Sequence, residues 1–202
     1  MRYFSNRRQE EQRVMTGLLK TERMLDRFSD EVGALSAILM VPLVANVFYD
    51  VVMRYLLNDV SIGMQELEWH LYSAIFLLGI AYTLKADGHV RVDVIHERLD
   101  ARWRALIDMC GTVIFIWPFC LLIAYFGLEF AQGAYRIGET SGDPGGLPYR
   151  WVIKGMIPLS FACVLISSVG FFLRALNEFL GSKGDANNTG PMSANTTRRN
   201  SP

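Results

Sequence analysis

His89 and Asp93, in the run His-Val-Arg-Val-Asp, form the closest thing to an acid–base couple in this 202-residue chain. Acyl transfer by such a pair uses four intervening residues; here there are three, and Val94 follows the aspartate. Valines at 90, 92 and 94 alternate with the polar residues, a pattern of polar tips over buried valines at an interface. Glu66 and His70 share a helix face at i and i+4, but a metal needs further ligands than these two. The chain has three histidines, too few on its apolar runs for paired haem ligation. Gly142-Asp143-Pro144-Gly145-Gly146-Leu147-Pro148 has the look of a phosphate cradle, yet no Gly-Lys-Ser/Thr follows it. Glycines and prolines in that order build a compact, shaped turn instead. Cys110, Cys120 and Cys163 all lie in apolar blocks and read as small buried hydrophobes. No catalytic, cofactor-binding or metal site is expected.

The elements that carry these residues are set by where the apolar residues fall. Hydrophobic residues make up 51% of the chain, but mean hydropathy is only +0.21. They are concentrated in four blocks, which leave no room for a soluble domain of about 100 residues. From Leu71 to Leu84 there is no charge. Extended back to Leu67, that run reaches the roughly 20 residues a bilayer helix needs. The chain is therefore expected to be all-α, an integral membrane protein with four transmembrane helices plus surface-lying amphipathic helices. A membrane domain over 32–176 holds spans at about 32–57, 67–85, 105–130 and 151–176. Pro42, Pro118 and Pro158 fall within spans and are expected to kink them, as membrane helices tolerate. Residues 1–31 carry mixed charge, with Met15, Leu18, Leu25 and Phe28 at roughly helical spacing. They form either an amphipathic helix on the membrane surface or a solvated arm. A signal peptide is not expected there, because the first apolar run starts late. Residues 177–202 are rich in Asn, Thr, Ser, Gly and Pro from Gly181 onward and are expected to be a disordered tail.

Within the spans, Asn46 and Asp50 sit four apart on one face, which should point at another helix rather than lipid. Spans three and four have no ionisable residue between Asp108 and Glu129 or between Lys154 and Arg174. A transport path ordinarily shows itself by such deep charges. Glu129 and Lys154 either pair across spans three and four or stay solvated. Loop 131–150 is longer than a helix connection requires. It serves either as a docking surface for an external partner, with Glu139, Asp143 and Arg150 as contact residues, or as a simple connector. Sixteen Lys and Arg fall in the two termini and the 85–104 segment, against four (Arg54, Arg136, Arg150, Lys154) on the opposite side. Basic residues favour the cytoplasm, which places both termini inside and loops 58–66 and 131–150 outside. The neutral net charge and the lack of a basic stripe argue against nucleic acid as a partner.

The chain resembles the small four-span membrane subunit of tripartite ATP-independent periplasmic (TRAP) transporters, the DctQ family, over roughly residues 24–176. The likeness rests on Met24-Leu-Asp-Arg-Phe-Ser-Asp-Glu-Val-Gly-Ala-Leu35 before the first span and an acidic position at Glu66 opening the second. Gly79 comes thirteen residues later, followed by Gly88, His89, Val90, Val92 and Asp93 in a polar hinge, and by Ile157-Pro158 in the last span. The first position of the family's acidic pair is Gln65 here. The resemblance implies a non-catalytic scaffold in the bacterial inner membrane. It would brace a large elevator-type permease subunit that imports an organic acid with sodium, delivered by a periplasmic binding protein. Asn46, Asp50, Glu66, Glu68, His70, Gly79, His89, Arg91 and Asp93 would then serve the subunit interface or the internal structure. Trp69, Trp103 and Trp151 fit interfacial anchoring. The rival expectations are a self-sufficient small transporter or channel and, more remotely, a membrane enzyme.

Overall fold

The computed structural model of the chain describes residues 2–86 and 100–188, with side chains over 17, 19–86, 100 and 102–180. Every regular element among the described residues is helical. Helix α1 runs Arg2–Leu56, α2 Ile62–Lys85, and α4 Trp151–Asn188. Helix α3 occupies 101–136 in three contiguous parts, α-helical Ala101–Gly111, a π-turn Thr112–Ile116, and α-helical Trp117–Arg136. Among the described residues, four stretches are long and apolar enough to cross a membrane: Leu19–Leu56, Ile62–Lys85, Arg102–Arg136 and Trp151–Leu180. Residues 2–31 continue into the first span as one helix, with no break at Val32. At the other end α4 passes Leu176 and continues to Asn188; Asn177 still finds a partner on α1, which favours helix there. The remainder of the tail, from 189 on, lies outside the described residues.

Local chemistry sets the helix ends. Asn58 takes a positive φ of 50°, which asparagine tolerates, and turns the chain between α1 and α2. Ser61 then caps α2, its hydroxyl accepting the Met64 N–H at 3.4 Å. Helix α3 closes on Gly138, at φ +60°, with Gly138 N–H donating to Tyr135 and Glu139 N–H to Ala134, at 3.1 and 2.9 Å. That is the Schellman arrangement, which satisfies carbonyls the helix leaves open. Pro118 has no N–H to give, and its ring crowds the carbonyl four residues back. The chain answers with a π-turn just before it, in which Trp117 N–H reaches back five residues to Thr112. Pro118 is thus accommodated by one widened turn in the helix.

Helix α4 is the centre. A third of its apolar span is buried, against 11–17% for the other three. Helices α1 and α2 pack on each other and on α4, while α3 packs on α4 alone to any comparable extent among the described residues. The buried line on α1 is Ser29, Val32, Ser36, Asn46 and Asp50, with half-buried Leu39 and Leu43 completing alternating steps of three and four. That is the spacing of a helix–helix seam. In lipid, apolar burial does not favour helix association, so close packing and interhelical hydrogen bonds must hold the seam. Ser36 accordingly donates to the Ile75 carbonyl at 2.8 Å, and Ser29 meets Ser167 of α4 at 2.8 Å. Gly33 lets α1 approach α2: a Cβ there would lie 2.7 Å from the Tyr82 ring. Trp117, turned inward by the π-turn, donates its indole N–H to Ser168 of α4 at 3.0 Å and stacks at a tilt on Phe172. Where α2, α3 and α4 diverge, a gap of about 260 Å³ remains, lined by Leu84, Ile107, Gly111, Thr112 and Phe171 among others.

Candidate functional site

The polar chemistry of the bundle sits at its two ends, and the more elaborate end holds the loop between α3 and α4. Three backbone bonds nest inside one another across this loop. Arg150 N–H donates to Glu139 at 3.1 Å, Ser141 N–H to Leu147 at 3.1 Å, and Gly146 N–H to Asp143 at 3.0 Å. The result is a compact loop whose two arms are joined at base, middle and tip. Glu66, one turn into α2, reaches the middle rung. One carboxylate oxygen accepts the Ser141 hydroxyl and the other the Leu147 N–H, the latter at 2.6 Å. A single side chain therefore grips both arms. Gly146 lies against this contact, and a Cβ there would clash with Ser141 and come within 2.9 Å of the Glu66 carboxylate. Arg150 adds positive charge near the same carboxylate. At the loop's base Lys154 of α4 pairs with Glu139 and lies 4.0 Å over the Phe130 ring.

The grip continues into the first helix. Asn46 donates to the Met64 carbonyl at 2.8 Å, tying α1 to the first turn of α2 two residues from Glu66. Asp50, buried beside it, pairs with Arg54 on its own helix. His70 uses Nδ1 on the Glu66 carbonyl at 2.5 Å, an internal helix contact rather than one to the Glu66 side chain. Glu68 is half-buried on α2. Gly79 lies on the α1–α2 crossing, its carbonyl accepting the Thr83 hydroxyl, with room for ordinary contact toward Ser36. Of the loop residues, Glu139 and Arg150 are half-buried at the base, whereas Asp143 is exposed at the tip. His89, Arg91 and Asp93 lie outside the described residues. Lys154 pairs with Glu139 rather than with Glu129, whose partner is the Tyr125 hydroxyl one turn earlier on its own helix.

At the opposite end, Arg174 of α4 binds Asp26 at 2.9 Å and Glu22 at 3.4 Å on α1, and donates to the Lys85 carbonyl of α2 at 3.3 Å. Lys85 in turn pairs with Asp30, and Asn177 donates to Glu22 at 3.0 Å. One guanidinium thus joins three helices where their apolar spans end. Among the described residues, no group of three His, Cys, Asp or Glu side chains stands close enough to hold a metal ion.

The sequence profile of the DctQ component of tripartite ATP-independent periplasmic transporters matches residues 43–178, well over half of the chain. The chain belongs to the DctQ family. It is a small, multi-pass membrane subunit of a TRAP transporter. No curated protein matches the chain. The matched DctQ region includes Asn46, Glu66, the whole α3–α4 loop and Arg174, and excludes the acidic residues of α1 that Arg174 binds. Ser141, Leu147, Ser29 and Arg174 are the contacts that spacing alone did not single out. A serine hydroxyl or a backbone N–H carries no pattern of its own, and each of these partners lies far away along the chain.

Proposed function

We propose that this DctQ subunit is a static, non-catalytic brace in the bacterial inner membrane. It packs beside a large elevator-type permease subunit and widens the scaffold against which that subunit moves during sodium-coupled uptake of an organic acid. A periplasmic binding protein delivers the substrate to the outer face, where loop 131–150 is the docking surface. Both termini are cytoplasmic. The observation that carries this reading is that the helices are cross-tied at both ends: Asn46 and Glu66 outside, and Arg174 with Asp26, Glu22 and the Lys85 carbonyl inside. A moving element needs a second arrangement to move into, whereas cross-ties at both ends resist relative motion. Between the ends, α1 and α3 turn apolar side chains outward, such as Val41, Phe48, Phe115 and Phe119, suited to lipid or to a membrane partner. Deleting the chain from cells is expected to abolish uptake while leaving substrate binding by the soluble protein unchanged. Uptake that survives the deletion contradicts this function.

A further inference from the structure

We infer that Glu66 is a positioning residue for the outer loop: it holds the loop's two arms in the shape that the periplasmic binding protein docks against. This rests on the function proposed above and assigns a task to a residue half-buried against the loop in the first turns of α2. The geometry is specific. Glu66 straddles the Ser141–Leu147 rung, so its carboxylate fixes the separation of the arms and also pins the loop to α2. Helix α2 has no extensive contact with α3 among the described residues, so this grip ties the α1–α2 pair to the α3–α4 loop at the outer end. Gly146 is the second half of the device, because any side chain there would push Ser141 and Glu66 apart. With Glu139 engaged by Lys154 at the base, the exposed tip at Asp143 and Pro144, together with Pro148 and Tyr149, is what the loop presents outward. Tyr149 adopts φ +64°, unusual for a residue with a side chain, and it stays exposed. A loop already held in its bound shape loses less freedom on association.

The two acceptor positions distinguish shape from charge. In Glu66→Gln the amide oxygen still accepts the Leu147 N–H, and the amide nitrogen donates to the Ser141 hydroxyl oxygen. In Glu66→Ala both contacts are gone. The test is uptake by proteoliposomes holding the large subunit and this chain, titrated with the binding protein. Glu66→Ala should raise the half-saturating concentration of the binding protein by about tenfold and leave the maximal rate unchanged. Gly146→Ala should do the same, and Glu66→Gln should stay close to the unsubstituted protein. Three outcomes overturn the inference: an unchanged half-saturation in Glu66→Ala and Gly146→Ala, a lowered maximal rate with half-saturation unchanged, or a Glu66→Gln variant as impaired as Glu66→Ala. Unsubstituted proteoliposomes whose uptake does not require this chain would overturn the proposed function, and the inference with it.

Discussion

Asn46 shows what a polar side chain does in this bundle. It is buried, its amide donates to the Met64 carbonyl, and among the described residues its own oxygen has no partner. In a span such a group is expensive unless it ties helices together. Interhelical hydrogen bonds of this kind contribute modestly, because the separated helices find other partners. Asn46→Leu is accordingly expected to lower stability in detergent by about 1 kcal/mol, read as a reduced midpoint of thermal unfolding. An unchanged midpoint would mean the bond to Met64 adds nothing. Asn46, Asp50 and Glu66 were legible because a polar residue in or beside an apolar run stands out. What each one touches was not. Glu66 and His70 share a helix face, yet His70 bonds the backbone and Glu66 reaches a loop more than seventy positions away. Lys154 likewise found Glu139, because the Schellman turn at Gly138 folds that residue back over α4.

At the scale of elements, the four spans were readable from their apolar runs, since length and lack of charge are local properties. The irregularity in α3 was not. A proline in a span announces a disturbance, but whether the chain inserts a π-turn depends on what the displaced side chains can reach. Here the π-turn aims Trp117 at Ser168 and Phe172 of α4. Two glycines test the packing in opposite directions. A Cβ at Gly111 meets open space beside the gap between α2, α3 and α4. Gly111→Ala should therefore stabilise the protein by about 0.5–1 kcal/mol through helix propensity. Gly33 has no such room against Tyr82. Gly33→Val should destabilise by about 1–3 kcal/mol as α1 and α2 are forced apart. Paired unfolding midpoints that do not move in these opposite senses would contradict these helix contacts.

Among the described residues, α1, α2 and α4 form a three-helix group with α3 carried on α4 as an outrigger, tied at each end by charged and hydrogen-bonding groups. That arrangement exposes broad apolar faces, as the proposed brace between lipid and a larger neighbour would require. The charge asymmetry along the chain predicts an orientation that labelling can read. In a variant whose three cysteines are replaced by serine, Asp143→Cys should react with a membrane-impermeant maleimide from the periplasmic side. Gly17→Cys should react only after the membrane is opened. The reverse pattern would place loop 131–150 on the cytoplasmic side, against the proposed docking role. The most direct measurement of bracing is solute uptake into proteoliposomes containing the large subunit and saturating binding protein, with and without this chain. Uptake should fall to background when the chain is omitted, and liposomes holding this chain alone should show no flux. Full uptake without it, or flux through it alone, contradicts a passive brace.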